Sequence, residues 1–87
     1  MYAIIVYDVS VEKVSKVCQF LRQHMNWIQN SVFEGEITES QLAKIEHKIK
    51  ELVNEETDTV VIFTTPSKDR IEKKQIGKAK NDSETII

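Results

Sequence analysis

Few residues in this chain can do chemistry, and their placement narrows the choice. Asp8 follows directly on Tyr2–Tyr7, Tyr-Ala-Ile-Ile-Val-Tyr. That unbroken β-branched and aromatic run predicts a strand buried on both faces. A carboxylate at the carboxyl end of a central strand lies where open α/β sheets usually hold their sites. It suits a hard divalent cation, Mg²⁺ or Mn²⁺. Aspartate also caps helices, so spacing alone leaves Asp8 open between a metal ligand and a structural residue of the following turn. One carboxylate is a thin site. Asp58 opens a later strand and falls at the far end of the sheet if that strand runs parallel to the first, whereas Asp69, past the strand's end, could approach Asp8. A two-fold dimer offers another route, with two Asp8 carboxylates meeting across the dyad.

Other chemistries find little support. There is no Gly-rich phosphate loop and no nucleophile elbow, and His24, His47 and the single Cys18 lack zinc spacing. Both histidines sit beside polar residues on expected helices and read as surface groups. Cys18 falls on an apolar helix stripe and reads as core, where burial keeps a thiol protonated. Trp27–Gly35, Trp-Ile-Gln-Asn-Ser-Val-Phe-Glu-Gly, offers stacking faces and hydrogen-bonding groups compatible with nucleic acid. The same aromatics equally suit a core or a subunit interface. Between residues 68 and 80, Lys68, Arg70, Lys73, Lys74, Lys78 and Lys80 face only Asp69 and Glu72. That local excess of four positive charges can track phosphates, although such a stretch is also an ordinary solvated face.

Eighty-seven residues make one domain, and so short a chain buries a modest core, which favours completion by a partner subunit. With 40% hydrophobic and 30% charged residues, two Gly and one Pro, collagen-like, low-complexity and strongly disordered classes are excluded. The apolar run Met1–Tyr7 is too short to span a bilayer and has no basic segment ahead of it, so neither a membrane anchor nor a signal peptide is expected. One cysteine precludes an internal disulfide, and a cytoplasmic location is expected. The net charge of −2 argues against a wholesale nucleic-acid binder.

The elements that must position these residues follow from periodicity. Val14, Val17, Cys18, Leu21 and Met25 recur at helical spacing, predicting a helix over roughly 11–25 that Ser10 can cap. Trp27 to Phe33 reads as a second strand, with Glu34-Gly35-Glu36 as a bend or bulge. Thr38-x-x-Gln41 is a capping box opening a second helix over about 39–54. Asp58–Thr65 is a third strand closed by Pro66. Gln75-Ile76-Gly77 and Thr85-Ile86-Ile87 are short edge-strand candidates that could add to a neighbouring subunit's sheet. The order is that of an α+β, ferredoxin-like split βαβ fold, with the first and third strands as a central parallel pair joined by right-handed crossovers.

Tyr2–Val9, Trp27–Glu36 and Asp58–Phe63, in that order and at these spacings, resemble the CRISPR-associated protein two family over essentially the whole chain, least well over residues 66–87. The resemblance implies a ferredoxin-like fold over 1–87 and a homodimer in which C-terminal strands within 66–87 add to the partner's sheet. It implies a role in CRISPR spacer acquisition, bridging copies of the CRISPR integrase (CRISPR-associated protein one) and contacting the backbone of RNA or DNA. It also implies a metal-dependent endonuclease using Mg²⁺ or Mn²⁺, with the metal aspartate on Asp8, the adjacent tyrosine on Tyr7, and motif residues on Ser31 and Phe33. Relatives carry arginines on the first helix and before the second strand, where this sequence has Lys13, Lys16 and Trp27. Lysine keeps the charge but loses bidentate phosphate contact. Lys73, Lys74 and Lys78 are the candidate phosphate contacts of the tail. Two other readings share these residues: a non-catalytic scaffold for the integrase, and a ferredoxin-like regulatory domain for ions or small molecules.

Overall fold

The computed structural model describes residues 1–78 and contains six regular elements. They are β1 (Tyr2–Asp8), α1 (Val11–Arg22), β2 (Asn26–Gln29), β3 (Val32–Glu36), α2 (Glu39–Leu52) and β4 (Thr59–Thr65), followed by a short 3₁₀ turn at Lys68–Arg70. The strands form one sheet in the order β2-β3-β1-β4, with every neighbouring pair antiparallel. This is the expected α+β split βαβ order, with β1 central.

Two expectations are corrected. The expected second strand is a hairpin: β2 and β3 pair around Asn30-Ser31, with the register shift in β2 between Trp27 and Gln29 and not at Gly35. Asn30 takes a φ of 42°, a left-handed conformation that asparagine tolerates better than most residues. The polar trio Gln29-Asn30-Ser31 therefore turns the chain and does not alternate across a strand. The extra strand also reverses the later pairing, so β4 runs antiparallel to β1, with Asp8 opposite Thr59 and Tyr2 opposite Thr65. Asp58 accordingly lies at the Asp8 end of the sheet and Asp69 beyond the opposite end.

Both helices cover one face. Ala3, Ile5 and Tyr7 of β1 and Phe33 of β3 meet Val17 and Leu21 of α1 and Ile45 and Ile49 of α2 in a single buried core. Ile5 and Phe33 are paired across β1 and β3, and both are fully buried. A Cβ at Gly35 would meet Met25 atoms at 3.5–3.7 Å, ordinary van der Waals contact, so the position packs against Met25 without requiring glycine. The expected capping box of α2 forms in both directions: Gln41 N donates to Thr38 Oγ1 at 3.1 Å, and Thr38 N donates to Gln41 Oε1 at 2.7 Å.

The opposite face carries the alternate residues of each strand. Ile4 and Val6 of β1 pair with Phe63 and Val61 of β4, and Val6 also pairs with Val32 of β3. Phe63 is 57% and Val61 41% exposed. An apolar patch therefore lies open on this face, and the strand alternation puts Asp8 on it too. Residues 71–78 carry no regular structure, so Gln75-Ile76-Gly77 is no strand within the single chain. Thr85-Ile86-Ile87 and Lys80 lie outside the described residues.

Candidate active site at the Asp8 end of the sheet

Three loops gather where β1 ends: the β1–α1 turn, the Asn30-Ser31 hairpin turn, and the 54–58 connection from α2 to β4. Tyr7 N donates to Ser31 O at 3.1 Å, tying the strand end to the hairpin. Asp8 is exposed, and among the described residues its carboxylate accepts no hydrogen bond and joins no ion pair. Ser10, not Asp8, is the N-cap of α1, and even its hydroxyl makes no capping bond. Asp8 therefore does not cap α1.

Asp58, by contrast, is fully engaged. Asp58 Oδ1 accepts from Ser10 N at 3.1 Å, and Oδ2 accepts from Lys13 Nζ and Asn54 N, each at 2.8 Å. Its side chain is 2% exposed. The Lys13 hydrogen bond, followed by those from Asn54 and Ser10, holds the Asp58 carboxyl below the usual aspartate range against a smaller opposing effect of burial. The charge of Lys13 is spent on this pair and is not free for phosphate. Sequence reasoning missed the cluster because it put Asp58 at the wrong end of the sheet. The signal available was Asn54–Asp58 itself, an Asn and an Asp at turn spacing before a strand.

The other expected site residues divide by burial. Phe33 is in the core, offset-stacked on Tyr7 with ring centroids 6.3 Å apart, so it supports Tyr7 by packing and touches no ligand. Tyr7 is 4% exposed. Burial first, with Cys18 adding to it, pushes its phenol up to about 12, out of reach as a proton donor or acceptor at neutral pH. Its hydroxyl is buried beside Cys18 and Ser31 without adequate hydrogen-bonding geometry to either. Ser31 contributes its carbonyl to the Tyr7 tie. Lys16 is exposed and forms no ion pair among the described residues. Lys73 binds Glu34 of β3, opposite Ile4, which anchors the tail to the middle of that strand. Burial opposes the charge of Glu34, but the hydrogen bonds from Lys73 and Tyr2 prevail and its carboxyl lies below the usual range. Lys74 reaches only Glu72, at 4.0 Å with both side chains exposed, and Lys78 is exposed.

The histidines behave as expected: His24 is exposed against Phe20, and exposed His47 faces Glu51 at 3.1 Å. Cys18 is half-buried against the core, with Arg22 Nε donating to its sulfur at 3.4 Å. Arg22 also lies over the Trp27 ring, 5.2 Å from its centroid, and the indole donates to Asn30 O at 3.0 Å. Trp27 thus packs as a partly buried edge residue. Among the described residues no three His, Cys, Asp or Glu side chains converge to hold a metal, and of Asp8 and Asp58 only Asp8 is unengaged. No helix of the described residues is long and apolar enough to cross a membrane.

A split βαβ sheet with an unengaged carboxylate at the end of its central strand defines a small α+β protein, and its candidate site is that strand terminus. The profile of the family described as CRISPR associated protein Cas2 matches residues 1–82. The chain belongs to the Cas2 family. It is 45% identical over 87 residues, all of both chains, to the CRISPR-associated endoribonuclease Cas2 of Methanosarcina acetivorans, and 49% identical, again over the full length of both, to that of Thermococcus kodakarensis. A Cas2 crystal structure at 42% identity superposes with a TM-score of 0.84 over 100% of this chain and 98% of that one. Streptococcus pyogenes Cas2, 24% identical, shares the fold with a TM-score of 0.73 over 86% of this chain and 100% of its own.

Proposed function

We propose that this chain is an endonuclease of CRISPR adaptation that cleaves phosphodiester bonds as a homodimer, with Asp8 of each copy as the metal-binding carboxylate. The observation that carries this reading is that Asp8 is exposed and performs no structural task while Asp58 performs the adjacent one. The names of the full-length relatives, endoribonucleases, favour RNA as substrate. The open apolar face supports the dimer. Two sheets laid face to face would cover Ile4, Val6, Val61 and Phe63 and bring two copies of Asp8 onto one interface.

The donor set fits Mg²⁺ or Mn²⁺: two carboxylates, with water and substrate phosphate completing an all-oxygen shell. A bound divalent ion would supply positive charge beside the scissile phosphate and a more acidic water. The chain's own residues do the rest. Asp8 binds and orients, buried Tyr7 and Phe33 hold the strand end from beneath, and the exposed lysines Lys16, Lys74 and Lys78 attract the polyanion. No protein side chain at this end is a suitable general base, since Tyr7 is held neutral and Asp58 is saturated with donors.

The test is cleavage of single-stranded RNA and duplex DNA by purified protein across Mg²⁺ and Mn²⁺ concentrations, beside Asp8→Asn. Metal-dependent products from the wild type alone support the reading. A wild type that cleaves nothing under any condition overturns it in favour of a scaffold bridging the CRISPR integrase, for which one carboxylate per chain is sufficient structure.

A further inference from the structure

We propose that Asp58 is a positioning residue that sets the direction in which Asp8 leaves the sheet; the inference rests on the metal-binding reading of Asp8 above. Among the described residues the Asp8 carboxylate has no hydrogen bond to orient it, so its placement depends on the backbone on either side. On the sheet side that backbone is held by pairing with Thr59, the residue next to Asp58. On the turn side only Val9 separates Asp8 from Ser10, whose N–H is held by Asp58 at 3.1 Å. The same carboxylate grips the first turn of α1 through Lys13 and the end of α2 through Asn54.

Asp58 is in turn fixed from behind. Its own N–H donates to Asn54 O at 2.8 Å, and Asn54 Oδ1 accepts from Glu56 N at 2.9 Å. The clamp therefore ties the β1–α1 turn and the first turn of α1 to a hydrogen-bonded Asn54–Asp58 turn that follows α2.

The bond to Ser10 distinguishes positioning from simple helix stabilisation. Ser10 O already starts the helix by accepting from Lys13 N at 2.9 Å. The Ser10 N–H lies outside the helical ladder, and α1 would form without a partner for it. What its bond to Asp58 fixes is the three-residue passage Asp8-Val9-Ser10.

Two substitutions test this. Asp58→Asn replaces one acceptor oxygen with an amide that donates, so it cannot serve Ser10, Lys13 and Asn54 together. Ser10→Pro removes the donated N–H together with the hydroxyl and restricts Val9 before it to extended backbone; Ser10 itself already has a φ of −60°, which the proline ring requires. The probe is Mn²⁺ alone, titrated while free ion is followed by electron paramagnetic resonance, and then RNA cleavage at saturating Mn²⁺. Both variants are expected to keep the wild-type circular dichroism. They should need about 10–100 times more Mn²⁺ for half-saturation, the usual loss when a group supporting a ligand is removed. At saturation kcat should fall with KM for RNA unchanged. Folded variants with wild-type Mn²⁺ half-saturation and kcat would overturn the role of Asp58 while leaving Asp8 in place. A wild type that neither binds Mn²⁺ nor cleaves would remove the Asp8 reading and this one with it. Where Asp58→Asn does not fold, Ser10→Pro decides alone.

Discussion

Asp8 and Asp58 stand at the same end of the sheet, Asp8 facing the residue next to Asp58 across the β1–β4 pair, and the fold uses them in opposite ways. The Asp58 side chain is 2% exposed and receives three donors, from Ser10, Lys13 and Asn54. Asp8 is exposed and receives none among the described residues. A buried carboxylate must be paired, and its removal strands its donors. An exposed, unengaged one contributes nothing that the fold would miss. The contrast teaches that one aspartate carries the architecture and so leaves the other available for chemistry.

The comparison can be broken at the floor the two residues share. Phe33→Ala removes a fully buried ring beneath the end of β1 and should cost about 3–5 kcal/mol in denaturant unfolding. A loss under about 1.5 kcal/mol, the range of well-tolerated core changes, would show that this end of the sheet does not depend on its core.

Acid sharpens the contrast next. The Asp58 carboxyl lies below its ordinary value of 3.8 because the folded state favours its ionised form. The resulting stabilisation is fully present above the unfolded value and is lost as pH falls through the lower, folded one. Glu34, also held below its ordinary 4.5, acts with the same sign. The melting temperature of the wild type should therefore fall as the solution is acidified below about pH 5, and Asp58→Asn should flatten that fall. An unchanged acid slope in the variant would remove Asp58 from the stabilising set.

Thr38→Ala is a calibration far from the site. It removes one half of the α2 capping box and should cost about 1 kcal/mol with cleavage per folded molecule unchanged. Equal damage to cleavage would mean that any loss of stability, not the Asp8 end in particular, governs activity.

The lysines give a smaller effect. Lys16→Met should reduce the dependence of log Kd for single-stranded RNA on log salt by about 0.7, and Lys13→Met should leave it unchanged because Asp58 already neutralises that charge. Equal slopes for the two variants would contradict this division.

How much of this was legible in the sequence depends on the range of the interactions. β1, β4 and both helices follow from apolar runs and helical spacing, and the Thr38–Gln41 box was readable because both of its bonds are local. The Asn30-Ser31 turn was missed because a polar trio inside an apolar stretch fits strand alternation as well as a turn, and only pairing with β1 separates the two. That one error also reversed the direction of β4 and carried Asp58 to the wrong end. Asp8 was legible as a candidate from its place after the run Tyr2–Tyr7. Its freedom from structural duty was not, since that depends on an aspartate fifty residues later. The burial of Phe33 and the pairing of Lys13 and Lys73 likewise depend on distant partners.

The most direct test is one variant measured twice. Asp8→Asn should alter unfolding free energy by less than about 0.5 kcal/mol, as expected for an exposed residue without partners, while Mn²⁺-dependent cleavage of single-stranded RNA disappears. A folded Asp8→Asn protein that cleaves at the wild-type rate, with contaminating nuclease excluded, would contradict the account.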